Sequence, residues 1–239
     1  MHKIELDGES IPYTIIKSKR RRSIGIQVKL EEGLVIRVPN RTSKKYVESA
    51  LQAKKTWILK NIRIRQTVKD QKQQLLITQG ETIRVFGKKL ELEVRQNTSA
   101  ITKIYLTEAS IIFECRYDKF TNAKYKRSKL QDFLKTTLEQ YLVVRINHYS
   151  KKIGRKPHTV IVRTYKRRWG SATTKGKCSF NWKLAMAPKE IIDYVVIHEL
   201  CHLIHLNHSQ KFWSLVRSLY PDYIQVRSWL KDNGPYLDI

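Results

Sequence analysis

Cysteine is scarce in this chain of 239 residues, with three copies at Cys115, Cys178 and Cys201. The number is odd and the positions lie far apart. That excludes a disulfide framework and leads us to expect a reducing, cytoplasmic setting. Long apolar runs are also missing. None approaches the ~18 residues of a membrane span, and the N-terminus lacks the apolar stretch of an export signal, so neither membrane insertion nor export is expected. Negative charge is short: 21 Asp and Glu face 47 Lys and Arg, for a net charge of +26. From His198 onward Lys211, Arg217, Arg227 and Lys231 offset Glu199, Asp222, Asp232 and Asp238, so the entire surplus lies upstream. Such a surplus attracts polyanions, nucleic acid first; a merely soluble basic surface is the alternative. No internal repeat or low-complexity tract is visible. A hydrophobic content of 41% with 10% aromatics still argues for a folded protein.

Two further absences frame the motif around which the chain is organised. Glu199 is the last Glu, and both Met residues, Met1 and Met186, precede it. The motif is His198-Glu199-Leu200-Cys201-His202, followed by His208. Residues i and i+4 of a helix lie one above the other, so His198 and His202 can present two imidazoles to one metal ion. Glu199 sits one step round, placed to touch a water rather than the metal. A catalytic Zn²⁺ takes three protein ligands and keeps a fourth position open. With no downstream Glu, a Glu third ligand on this segment is excluded. His208 has the six-residue offset from His202 used by zinc proteases with a third His. Asp222 remains an alternative ligand, and His205 is expected behind a ligand or in solvent. A Met-turn is excluded. His205 stands where such proteases have Gly, and Asn207 can supply the left-handed geometry instead. His148 and His158 lack ligand spacing.

The surrounding pattern reads as α+β. Residues 1–122 form a β-rich basic region with one helix, and residues 123–239 a domain built on the H-E-x-x-H helix. Strands are expected around Ile11–Ile16, Ile24–Val28 and Leu34–Val38, the last two joined as a hairpin at Glu31-Glu32-Gly33. The run Lys19, Arg20, Arg21 and Arg22 is a nucleic-acid contact or a solvated loop. Ser43 caps a helix running to about Val68 and decorated by Lys44, Lys45, Lys54, Lys55, Lys60, Arg63 and Arg65. On it, the spacing of Trp57 with Ala53 and Asn61 fits packing, with base stacking the alternative. Gly80–Val94 is a hairpin, with strands after it at Ile101–Leu106 and Ser110–Cys115. Arg116–Lys126 reads as a linker, Ser128–Ile153 as a long amphipathic helix closed by Gly154. Strands His158–Thr164 and Cys178–Leu184 flank a turn at Arg167-Arg168-Trp169-Gly170. Pro188 opens the metal helix, which runs to about Ile204. Ser209 and Asp222 cap two final helices, and Cys201 is a small core residue.

Arg168-Trp169-Gly170-Ser171, Phe180-Asn181-Trp182-Lys183-Leu184, Pro188, Asp193 through Leu200, Asn207-His208-Ser209 and Phe212-Trp213 together resemble the YgjP-type family of metal-dependent hydrolases. The likeness covers most of the chain. It implies a zincin-like metallopeptidase domain, related to the SprT-like and WLM proteases that act on DNA-bound proteins. By position it makes His198, His202 and His208 the metal ligands and Glu199 the catalytic carboxylate. The chain departs from the family at Ala172, where Cys is usual, so any role of that thiol is lost.

The function expected is a zinc-dependent peptidase acting on a peptide or protein. Arg168, Trp169, Asn181 and Tyr194 are its substrate contacts, with Arg168 or Tyr194 stabilising the oxyanion. The strand Cys178–Leu184 would form the cleft edge, where an extended peptide adds as a further strand. Two rivals are carried. One is a zinc phosphohydrolase acting on nucleotides, an activity assigned within the resembling family. The other is a non-catalytic nucleic-acid-binding protein with a structural zinc, disfavoured because structural sites are usually closed and Cys-rich.

Overall fold

The computed structural model describes residues 2–29, 33–74 and 80–239, with side chains described for all of these except 65–74. The Glu31-Glu32 part of the expected turn and the Arg65 and Val68 side chains lie outside that range. The chain divides into two compact units, Met1–Gln74 and Leu75–Ile239.

The first unit holds β1 (His2–Leu6), β2 (Glu9–Ser18), β3 (Gly25–Lys29) and β4 (Gly33–Pro39), then α1 (Lys44–Gln52) and α2 (Lys55–Gln74). Its sheet has the order β1-β2-β4-β3, with a parallel central pair β2–β4 and an antiparallel strand on each side. Alternation along β2 sends Ile11 and Tyr13 inward, where they meet Leu34, Ile36, Val47, Leu51 and Ile58. The single helix expected from Ser43 is two. Ser43 does cap α1, accepting from the Tyr46 amide at 3.3 Å. The chain turns at Ala53-Lys54, where the Gln52 side chain donates to the Glu5 carbonyl at 2.9 Å and anchors the end of α1 on β1. Trp57 is 43% exposed and outside this core, so it does not take the packing role its spacing suggested.

The second unit opens with β5 (Thr82–Val85), β6 (Lys88–Asn97), β7 (Lys103–Leu106) and β8 (Ser110–Arg116). These form a sheet of order β5-β6-β8-β7, the same arrangement as the first, with the same parallel centre. Tyr13 faces Leu34 in one sheet as Leu92 faces Ile111 in the other. Both opening hairpins turn through two residues of positive φ, Asp7 (48°) with Gly8 (81°) and Phe86 (50°) with Gly87 (82°). A repeat is therefore present where the sequence showed none. What the two copies retain is a turn glycine and alternate apolar positions, too little to register as sequence similarity.

α3 (Tyr117–Phe120) and α4 (Ala123–Ile153) follow. Asn122 caps α4 by accepting from the Tyr125 amide at 2.9 Å, so the helix starts before Ser128 and the expected linker is largely helical. Leu130, Leu134, Leu138, Leu142 and Ile146 recur every four residues and are buried. They share one core with Leu92, Ile111 and Phe113. That shared core is why the units part after Gln74 and not at residue 122.

The rest of the unit is β9 (Thr159–Arg163), β10 (Gly170–Ala172), β11 (Lys177–Asn181), a 3-10 turn at Trp182–Met186, α5 (Lys189–Cys201), α6 (Gln210–Leu219) and α7 (Tyr223–Asn233). The fold is thus α+β. No helix among the described residues is long and apolar enough to cross a membrane.

α5 is fixed from two sides. At its N-terminal end the β5–β6 turn reaches it: the Phe86 and Gly87 amides donate to the Ala185 and Met186 carbonyls at 2.7 and 3.3 Å. Gly87 has a φ of 82°, which favours glycine, and a Cβ there would crowd Pro188 at 3.1 Å. Along its length, Asp193 accepts from both Nε and Nη2 of Arg145 (2.8 and 2.6 Å) and from the Tyr141 hydroxyl (2.9 Å), all on α4. The contact lies five residues before His198.

Candidate metal centre and adjoining cleft

α5 ends at Cys201, and His202 is its C-cap, still in right-handed helical geometry (φ −66°, ψ −17°). The His202 amide donates to the His198 carbonyl at 3.3 Å, so the i, i+4 relation survives the helix end. The helix is shorter than expected: the chain turns at Leu203-Ile204, with amides donating to the Leu200 and Cys201 carbonyls. That turn carries it back so that His208 meets the other two imidazoles. Ser209 then caps α6, accepting from the Phe212 amide at 3.4 Å.

The ligand atoms of His198, His202 and His208 all lie within 4.8 Å of one another. Nε2 of His208 is 3.1 Å from Nε2 of His198. Tetrahedral zinc with Zn–N bonds of ~2.0–2.1 Å sets its nitrogens roughly 3.3 Å apart, so the three residues fit such an ion. Asp222 and His205 are not in the cluster. Asp222 makes no side-chain cap to α7 either, although it holds the cap position.

The imidazoles are oriented from behind. Nδ1 of His202 lies 3.0 Å from the His205 carbonyl, and Nδ1 of His198 lies 3.4 Å from the Tyr194 hydroxyl. Partners of this kind fix the ring and leave the other nitrogen for a metal. Phe212 stacks on His202 (4.4 Å between centroids) and Trp213 on His208 (5.4 Å). Burial pushes the His198 pKa down to about 3, with His202 and His208 adding to the effect. Burial likewise lowers His208. Both shifts favour the neutral imidazole, the form that binds metal.

Glu199 is 5% exposed. Burial raises its carboxyl pKa to about 8, and Arg168 pulls the other way. A cation at the histidine cluster would pull in the same direction as Arg168. The space beside the carboxylate exists because Gly170 has no side chain, since a Cβ there would stand 2.5 Å from Oε1 of Glu199.

Strand order corrects one expectation about the cleft. The third sheet runs β10-β11-β9, so β11 is central and both its edges are paired. The expected edge strand Cys178–Leu184 is therefore not an edge, and its last residues form the 3-10 turn. The edge strand beside Glu199 is β10, which among the described residues pairs only with β11.

A cavity of about 380 Å³ opens against Glu199 and His198. Of the expected substrate contacts, Arg168, Trp169 and Tyr194 line it. Asn181 does not. It is buried, and its side-chain amide donates to the Tyr165 and Arg168 carbonyls at 3.1 and 3.0 Å, shaping the loop that carries Arg168. Residues without a motif complete the walls, notably Arg167, Arg227, Leu230 and Lys231. Only their basic character was visible beforehand.

Lys19, Arg20, Arg21 and Arg22 lie in the loop between β2 and β3, in the other unit, and Lys19, Arg20 and Arg22 are exposed. Several helix cations there are tied to acids: Lys55 to Asp7 (2.7 Å), Arg63 to Glu9 (3.1 Å) and Lys44 to Glu48 (3.6 Å). In the second unit Lys126, expected in a basic linker, is buried with its ammonium 5.8 Å from the Phe120 ring centroid. The cysteines are free and buried, Cys201 within the core as expected.

The family model described as YgjP-like, metallopeptidase domain, matches residues 22–233. Among curated proteins none matches the chain. Among solved structures, the metallopeptidase zymogen of Pyrococcus abyssi abylysin aligns at 23% identity over 38% of this chain and 93% of its own, with a TM-score of 0.35.

Proposed function

The chain belongs to the YgjP-like metallopeptidase family, and from that premise we propose that it is a zinc-dependent peptidase cleaving polypeptides in the cleft beside Glu199. The observation that carries the reading is the meeting of three imidazoles with the buried carboxylate that adjoins the first of them. Bound at His198, His202 and His208, zinc would supply Lewis acidity and an easily ionised water. Glu199 holds a proton at its carboxylate, accepting it from the attacking water and passing it to the leaving amine. Tyr194 is engaged with Nδ1 of His198. That leaves Arg168, which lines the same cavity beside Glu199, as the oxyanion partner. The extended substrate would pair with the edge of β10.

A second reading, nucleotide phosphohydrolysis, is favoured by the cations of the same cavity. A purely structural zinc fits less well, because the buried thiols of Cys178 and Cys201 stand outside the ligand cluster. Association with nucleic acid, which would direct the peptidase to bound proteins, rests on the exposed Lys19, Arg20 and Arg22 loop. The three free thiols suit a reducing cytoplasm.

Elemental analysis tests the metal site. About one zinc per chain is expected, with sharp loss in His198→Ala, His202→Ala and His208→Ala. Full zinc in His208→Ala would move the third ligand elsewhere.

A further inference from the structure

Four cationic side chains border the cavity beside Glu199: Arg167 and Arg168 from the loop before β10, and Arg227 and Lys231 from α7. Glu199 is the only acid in its lining. None of the four has a carboxylate within ion-pair distance among the described residues, whereas other cations of the chain, such as Arg145 and Lys183, do. Arg227 and Lys231 stand at i and i+4 on one helix. That arrangement of like charges is unfavourable by itself and is relieved by an anion between them.

The positions are also prepared. The Arg227 guanidinium stacks on Trp213 at 4.6 Å from the ring centroid. The Arg168 segment is fixed by the Asn181 amide. Leu230 and Trp169 give the cavity an apolar wall against which the stem of a side chain can lie. The walls include His198 and Glu199 but not His202 or His208, so the cavity lies to one side of the reacting centre. Gly170 both lines the cavity and begins β10, whose outer side pairs with no other strand among the described residues. A peptide added along that side would run directly past it.

Resting on the peptidase reading above, we infer that this cavity is a specificity subsite for an acidic residue of the substrate next to the scissile bond. The substrate carboxylate is held by Arg227 and Lys231, with Arg167 at the rim. Arg pairs bind carboxylates bidentately, which gives geometric selection as well as attraction. The edge strand favours a peptide over a nucleotide as the carrier of the anion, because a strand added beside β10 would pass Gly170, which lines the cavity.

The test uses the zinc-loaded full chain and two families of fluorogenic peptides differing only in Glu or Gln at the residue flanking the cleaved bond. Wild type should cleave the Glu series at least tenfold better in kcat/KM. In the double variant Arg227→Gln/Lys231→Gln that ratio should fall towards one. Binding is read separately by fluorescence anisotropy on zinc-loaded Glu199→Gln, where the Glu peptide should bind at least tenfold tighter than the Gln peptide. Cleavage of both series without preference would overturn the subsite and leave the peptidase reading standing. Absence of peptide cleavage and binding, with turnover of a nucleoside triphosphate, would overturn both and assign the cations to phosphate.

Discussion

Oε1 of Glu199 lies 2.5 Å from where a Cβ on Gly170 would stand. The carboxylate and the first residue of β10 thus compete for one volume, and the chain resolves it with a glycine. Gly170→Ala should push Glu199 off its position without touching a ligand. We expect zinc content to hold, hydrolysis to fall on the order of 10²-fold and stability to drop by about 1–3 kcal/mol from overpacking. Kinetics together with zinc analysis checks this.

The metal-stripped protein should show a defined pH dependence. The folded-state pKa of Glu199 is raised from 4.5 to about 8. Between those values the folded chain keeps a proton that the unfolded chain has released, so stability falls as pH rises through that window. His198 acts at the other end. Its folded pKa is lowered from 6.5 to about 3. There the unfolded chain binds the proton first, and stability falls as pH drops from 6.5 towards 3. In chelator, Glu199→Gln should melt above wild type at pH 8–9, and the difference should vanish near pH 4.5. Denaturation scans across pH with both proteins measure it.

Asp193 holds the metal helix to α4 through Arg145 and Tyr141. Asp193→Asn removes the charge and leaves Arg145 partly buried with no counterion. A loss of about 3 kcal/mol is expected, and zinc should be released at lower chelator concentration because the helix carrying two ligands is less firmly set. Denaturant titration and chelator competition report the two effects.

If the β2–β3 loop contacts nucleic acid, binding should be independent of sequence and weaken steeply between low and physiological salt. Replacing Arg20, Arg21 and Arg22 by Ala should flatten that salt slope and leave zinc content unchanged. A titration with no binding at low salt would reduce the loop to solvated surface.

The gathering of His198 and His202 was legible because helix geometry makes their spacing a statement about space. His208 was legible by its offset, although the turn that delivers it is not encoded by a simple pattern. Hairpins and caps at Ser43 and Ser209 could be read for the same local reason. What escaped depends on distant pairing. β11 reads as an edge until its parallel partner β9 is known. Asn181 stands in a run that carries the family resemblance and was expected to touch substrate, yet its amide is spent on the backbone of the Arg168 loop. Arg227 and Lys231 look like ordinary exposed helix charges until α7 is set against Glu199. The shared topology of the two sheets was hidden because pairing register, not residue identity, is what they have in common.

The proposed role of Glu199 is to move the proton in a zinc-dependent peptide hydrolysis. Mass-spectrometric analysis of a defined peptide mixture, incubated with wild type and Glu199→Gln matched for zinc content, tests it most directly. Wild type should cleave, and the variant should lose on the order of 10²-fold or more of that activity. Equal cleavage by the two zinc-matched proteins, or none by wild type, would contradict it.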